Sequence, residues 1–231
     1  MGALYWMVND CWPGISWSGI DYFGRWKALQ YMAVRFNAPL VCSVETEGRI
    51  LRPYMQNETM NPVRARVTMN LRDMDFNLVF SKTSDEMIVP SFEARQIDEM
   101  DFTELSAGRS GSLFVETVFT NLATGLSYIE MTPLLPYKSL KLEDPEIEVA
   151  IGEDAERFII HLRAKKFAAF VQLDLAELDA VFGDNYFHMT RMEHMIFLYK
   201  HNISDPDVTV EELRRQLVVR SLRFLQFRMI F

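Results

Sequence analysis

Trp6, Asn9, Asp10 and Trp12 stand close together near the start of the chain. An indole offers a broad apolar face that packs against a flat apolar surface of a ligand, and an amide and a carboxylate beside it can donate to or accept from its polar groups. Asp10 and Asp21 invite a second reading, as a pair of carboxyl groups for acid/base work. Their place in one loop favours a plainer role, as carboxylates that bond backbone amides or a neighbouring cation such as Arg25. The other reactive types are scattered. His161, His188, His194 and His201 stand apart, and Cys11 and Cys42 lie in no CxxC or histidine-containing cluster. No zinc site is expected, although a single bridge between the two cysteines stays open. Asp174, Asp179 and Asp184 lack the fixed spacing of a calcium loop and read as turn residues. No catalytic residue, metal or cofactor is assigned from these residues.

The elements that would position the four residues are legible around them. Gly2–Val8 is a nearly continuous apolar run, the pattern of a strand buried on both faces in a parallel sheet. Asn9-Asp10-Cys11-Trp12-Pro13-Gly14 breaks that run, and a polar loop continues to Gly24. Arg25–Phe36 predicts a helix, with Trp26, Leu29, Tyr31–Ala33 and Phe36 on its apolar stripe. Asn37-Ala38-Pro39 stops it. All four tryptophans fall in this piece; Trp17 and Trp26 read as packing residues. A buried parallel strand needs neighbours on both edges, and no second strand–helix unit follows. Residues 1–39 therefore read as a fragment of an α/β fold.

From Leu40 the hydrophobic period changes to two. Strands are expected at Leu40–Glu45, Arg49–Tyr54, Val63–Arg72, Asn77–Ser81, Met87–Ala94, Ser112–Thr120 and Leu126–Pro133, separated by turn clusters. Short strands in this number predict a β-sandwich. After the connector Leu134–Asp144 a second set begins: Ile147–Ile151, Arg157–Ala164, Ala169–Leu175, Met195–Tyr199 and Leu217–Phe227. Asp184-Asn185-Tyr186-Phe187 is similar to the tyrosine corner of Ig-like sandwiches, and Thr209 to Glu212 has capping-box spacing. The net charge of −8 argues against nucleic acid as a partner. The terminal arginines Arg214, Arg215, Arg220, Arg223 and Arg228 alternate with apolar residues as a solvated strand face would. No apolar run reaches the roughly 18 residues of a membrane span.

The N-terminal block resembles the β-mannosidases of glycoside hydrolase family 2. Tyr5-Trp6, Asn9-Asp10, Trp12-Pro13, Ser16-Trp17, Asp21-Tyr22 and Gly24-Arg25-Trp26-Lys27 are similar to positions typical of that family. Leu71–Phe76, Phe170–Leu173 and Gly183–Phe187 resemble the two sandwiches that follow its catalytic barrel. The resemblance covers essentially the whole chain and is weakest in Ser81–Ser112. It implies a mainly β chain: two tandem Ig-like β-sandwiches preceded by the final strand–helix unit of a (β/α)8 barrel. The implied domains are 1–39 for the barrel piece, 40–144 for the first sandwich and 145–231 for the second.

The same resemblance implies a hydrolase of carbohydrate metabolism, a retaining exo-glycosidase that releases terminal β-D-mannose. Such an enzyme needs two carboxyl groups about 5–5.5 Å apart. In the family both are glutamates on earlier barrel strands, and no position here matches either motif. The expectation is therefore a chain that is inactive alone. Trp6 would line the subsite for the terminal mannose, with Asn9, Asp10 and Trp12 beside it, because barrel sites lie at the C-terminal ends of strands. The implied partners are a β-mannoside or oligosaccharide and the N-terminal domains of a longer enzyme. Two alternatives stay open: a stand-alone β-sandwich module that binds carbohydrate or acts as a scaffold, and the same region of an exo-β-glucosaminidase.

Overall fold

A computed structural model describes residues 4–224. The first residues of the expected strand at Gly2, the end of the last expected strand at Phe227, and Arg228 lie outside the described residues. The chain forms two compact units: one is Asn37–Glu143, and the other joins the segment ending at Phe36 to the chain from Asp144 onward.

In the first unit the strands are β1 (Leu40–Glu47), β2 (Ile50–Asn57), β3 (Val63–Asp73), β4 (Leu78–Thr83), β5 (Met87–Val89), β6 (Glu93–Gln96), β7 (Met100–Asp101), β8 (Leu113–Asn121) and β9 (Ser127–Pro133). They make two antiparallel sheets, β1-β2-β6 with β7 also on β2, and β4-β3-β8-β9 with β5 also on β3. Strand β3 shows why this sequence folds so. Val63, Ala65, Val67, Met69 and Leu71 all point inward and are buried, together with Leu113, Val115 and Phe119 of β8 and Leu51 and Met55 of β2. The register sets Val67 opposite Phe119 and Leu71 opposite Val115, so apolar pairs face each other on the core side.

The run Met87–Ala94, expected as one strand, is two. Strand β5 pairs with β3 and β6 pairs with β2, so the chain changes sheets between them. Pro90 has no N–H to donate to a ladder, and Phe92 turns the backbone at φ 59°, which together end one pairing and begin another. Glu116 of β8 is fully buried, yet its carboxylate accepts from Asn70 Nδ2 at 3.0 Å and from Arg72 Nε at 3.1 Å. A buried charge so engaged holds strands together rather than offering itself to a reaction.

The second unit contains the helix α1 (Ala28–Phe36) and, after the first unit, β10 (Glu148–Glu153), β11 (Arg157–Arg163), β12 (Ala168–Leu175), β13 (Phe187–Met189), β14 (Glu193–Tyr199), the helix α2 (Val210–Gln216) and β15 (Leu217–Arg220). Its sheets are β10-β11-β14 and β13-β12-β15. Phe158, Ile160 and Leu162 of β11, Val171 and Leu173 of β12, and Ile196 and Leu198 of β14 alternate into the interior. The capping box at Thr209 is formed: its hydroxyl accepts from the Glu212 amide, and the Glu212 carboxylate accepts from the Thr209 amide at 3.0 Å. It starts a helix of about two turns, Val210–Gln216.

Two expectations need correction. The residues from Leu4 to Val8 form no regular strand, because a parallel strand takes its ladder from neighbours and, among the described residues, the pairing here is with residues 19 and 20 alone. The tyrosine corner is not made either. Tyr186 is half-buried at φ 55° and its hydroxyl bonds to no backbone group among the described residues. Asn185 performs the bracing instead. Its side chain is buried, accepts from the Leu173 amide and donates to the Leu173 carbonyl, both at 2.8 Å.

Candidate functional site

The N-terminal segment is built around Asp10. Its backbone amide donates to the Ile20 carbonyl at 3.0 Å, while the amides of Gly19 and Ile20 donate to the carbonyls of Met7 and Val8. These bonds lay residues 7–10 beside residues 18–20 and close the loop that bears Trp12. The Ser16-Trp17-Ser18 triplet explains the loop's interior. In extended backbone, alternate side chains share a side, so the two hydroxyls turn inward and Trp17 turns out, where it is 72% exposed. Trp17 therefore does not pack within this segment. Trp26 is half-buried and meets the Tyr31 ring edge-on at 5.3 Å.

Both oxygens of Asp10 are engaged. The Ser16 hydroxyl donates to Oδ1, and Lys27 Nζ donates to Oδ2 at 3.1 Å and to the Ser18 hydroxyl at 2.8 Å. The residue is only 6% exposed, under the cover of one thin loop rather than of a deep core. The Ser16 bond, aided by Ser18 and Lys27 against the cost of desolvation, holds its carboxyl below the usual aspartate value. It remains an anion next to a cation. Asp21 is occupied in a similar way: Oδ1 accepts from the amides of Phe23 and Arg25, and Oδ2 from Arg25 Nε at 2.6 Å. Burial pulls its carboxyl upward, but the bonds from Arg25 and Phe23 outweigh that and lower it. Neither aspartate is poised as a proton donor near neutral pH.

The four residues singled out above therefore divide. Trp6 and Trp12 present their rings to solvent, 75% and 74% exposed, and Asn9 is exposed between them in sequence. Asp10 lies beneath, organising the loop. The Trp6–Met7 peptide is cis. Sequence reasoning missed Lys27, Ser16 and Ser18 as Asp10's partners. The alternation of the two serines about Trp17 was the available signal, whereas nothing local ties Lys27 to a residue seventeen positions earlier.

The helix α1 fastens this segment to the sandwich of the same unit. Its start is displaced from the expected Arg25 to Ala28, because the amides of Arg25 and Lys27 are drawn to Asp21 and to the Gly19 carbonyl. The Tyr31 hydroxyl accepts from the Phe182 amide at 3.2 Å. One turn later, Arg35 donates to Asp184 Oδ1 at 2.5 Å and to the Asn185 carbonyl at 2.7 Å. Burial pushes the Tyr31 hydroxyl up to about 12, so it stays protonated. The i, i+4 pair Tyr31 and Arg35 thus grips the Phe182–Asn185 loop, a polar use of Tyr31, which the sequence placed on the apolar stripe. Tyr5 meets Phe36 edge-on at 5.7 Å and ties the start of the segment to the end of α1.

Elsewhere the described residues hold no cluster of three or more metal-binding side chains, and both cysteines are free. Asp174 pairs with Arg220 at 3.6 Å, Asp179 with Arg25 at 3.7 Å, and Asp184 with Arg35. Each of the three aspartates once read against a calcium loop has its own arginine.

Comparison with known proteins shows what this chain is similar to. Residues 142–224 match the Ig_mannosidase family, an Ig-fold domain. The chain is 30% identical over 205 residues to the β-mannosidase of Capra hircus, covering 86% of this chain and 23% of that protein. It is 29% identical over 208 residues to the β-mannosidase of Mus musculus, with the same coverage. Among solved structures, the β-D-mannosidase of Dictyoglomus thermophilum matches 94% of this chain and 25% of its own with a TM-score of 0.75 at 19% identity. The exo-chitosanase of Amycolatopsis orientalis matches 94% of this chain and 29% of its own with a TM-score of 0.62 at 14% identity. These last two likenesses are of fold. The chain spans about a quarter of the length of the curated relatives it matches. The chain is thus mainly β, carries at 142–224 a match to an Ig-fold domain named for mannosidases, and is similar along most of its length to one part of the β-mannosidases.

Proposed function

We propose that this chain contributes the wall of a β-mannoside site, together with two sandwiches, to a retaining exo-glycosidase, and that it does not hydrolyse glycosides alone. The carrying observation is the pair of solvent-facing indoles, Trp6 and Trp12, on a loop whose carboxylate is tied down from beneath by Ser16 and Lys27. Flat apolar rings packed against sugar C–H groups orient the ring, and the Asn9 amide reaches a hydroxyl. Asp10 acts as the residue that holds Asn9 and Trp12 in place, rather than as a ligand.

Hydrolysis with retention needs an acid/base carboxyl and a nucleophilic carboxylate flanking the bond. Asp10 and Asp21 are both committed to cations and amides, and the chain matches only about a quarter of its relatives. The reacting carboxylates, and the partner domains that carry them, belong to the rest of a longer protein. The relatives with sequence identity near 30% are named for β-mannosides, which favours mannose over glucosamine; the likeness to an exo-chitosanase supports the shared fold.

The test is an aryl β-mannoside assay of the purified chain, with fluorescence titration of its tryptophans by the same compound. No turnover above buffer is expected. In a longer protein that carries the upstream domains, Trp6→Ala should lower kcat/KM for the mannoside by at least about tenfold, the equivalent of ~1.4 kcal/mol. Turnover by the chain alone, or an unaffected Trp6→Ala enzyme, would sink the proposal.

A further inference from the structure

Two triplets in the sequence, Asn57-Glu58-Thr59 and Asn202-Ile203-Ser204, have the form of an N-glycosylation acceptor. The structure separates them. Asn57 is fully buried, and its Nδ2, the atom that would carry the sugar, donates to the carbonyls of Asn61, Val89 and Pro90 at 2.9, 3.1 and 3.2 Å. Its Oδ1 accepts from the amide and the hydroxyl of Thr59. A glycan on Asn57 would strip carbonyl bonds from the strand ends it joins.

Asn202 is placed in the opposite way. It ends a single 3-10 turn, Lys200–Asn202, and is half-exposed. Its carbonyl accepts from the Val181 amide at 2.9 Å, while its side-chain amide makes no hydrogen bond among the described residues. Ser204 is pinned as well, its amide donating to the Asp179 carbonyl and its hydroxyl accepting from the Asp179 amide at 3.1 Å. The loop is fixed and the acceptor nitrogen is free. Asn202 also borders an open groove of about 370 Å³ within the same unit, lined in part by Trp26, Tyr31, Val34 and Tyr199. An N-acetylglucosamine ring has an apolar face and an acetyl methyl that suit such aromatic walls.

We propose that Asn202 is an N-glycan acceptor, that Asn57 is not, and that the innermost N-acetylglucosamine seats in the groove beside α1. The donor is an oligosaccharide linked to a polyprenyl diphosphate. Asn202 Nδ2 forms the new bond to the anomeric carbon and gives up a proton, and the lipid diphosphate leaves with the electrons of the broken C–O bond. The assignment applies where the chain meets that donor, in the secretory pathway.

The experiment expresses the full chain behind a secretion leader in eukaryotic cells and recovers it from both lysate and medium. Release of glycans by a peptide amidase in ¹⁸O-water, followed by peptide mass spectrometry, should label Asn202 and leave Asn57 unlabelled. Asn202→Gln should remove the whole glycan-dependent mobility shift. Trimmed to one N-acetylglucosamine, the chain should melt about 2 °C or more above Asn202→Asp, the shift expected of a ~1 kcal/mol contact. An unmodified Asn202 in both pools, or a glycan on Asn57, overturns the assignment; equal melting temperatures overturn the seat in the groove.

Discussion

Asp10 draws its role from residues six, eight and seventeen positions away: Ser16, Ser18 and Lys27. Replacing Lys27 with Met keeps the length of the stem but leaves the Asp10 carboxylate facing an apolar group. We expect the loop to loosen. Hydrogen exchange at the amides of Asp10, Gly19 and Ile20, which close the loop, should quicken, while amides of β11 and β14 stay protected. Unchanged exchange at Asp10 would show that the backbone bonds alone hold the loop. Trp6 and Trp12 are singled out by the family resemblance together with residue type, since an indole has a broad apolar face to offer. That Asp10 lies under them could not be read, since carboxylates in loops look alike until their partners are known.

Among the elements, α2 is the most local and was the most legible. Thr209→Ala removes a cap bond and should cost about 1 kcal/mol in urea unfolding. It also frees the helix that buries Leu213, so the loss should appear in the global transition. Gly183 tells the other side. Its amide donates to the Phe197 carbonyl at 2.8 Å, and a Cβ there would stand 2.8 Å from the same oxygen. Gly183→Ala should therefore destabilise by about 1–3 kcal/mol, as overpacking of a closed site does; a change near zero would mean that the loop relaxes freely. Strand periodicity was clear in β3 and β8, whereas the break between β5 and β6 was not. A run of alternating residues does not say which sheet each half joins.

At the scale of the molecule, two half-buried histidines should contribute to the acid limb of stability. His188 packs edge-on against Phe170 with ring centroids 4.5 Å apart, and its Nδ1 accepts from the Phe170 amide at 3.2 Å. Burial, with the Arg35 charge adding to it, lowers its pKa to about 3, and burial lowers that of His194 too. The unfolded chain, with an ordinary histidine near 6.5, therefore binds the proton that the fold refuses. The His188 contribution is full above pH 6.5 and is lost as pH drops from 6.5 toward 3, by up to about 1.4 kcal/mol per pH unit. Urea unfolding across that range checks this: His188→Gln should have a shallower slope, and an identical slope would place the acid limb elsewhere.

By itself the sequence determined the class of fold, the places of most strands, the helix after the tryptophan-rich loop and the resemblance to a family of glycosidases. Those follow from period, turn residues and motif, all of which act over a few positions. Only the tertiary structure decided that the first segment makes one unit with the chain beyond Asp144. It also decided that Leu4–Val8 is no regular strand, that Asn185 rather than Tyr186 braces its turn, and that one glycosylation triplet is locked while the other is open. The physical reason is shared by all four. Each depends on which distant backbone or side-chain group takes up a hydrogen bond, and a buried polar group takes whichever partner the packed chain brings within reach.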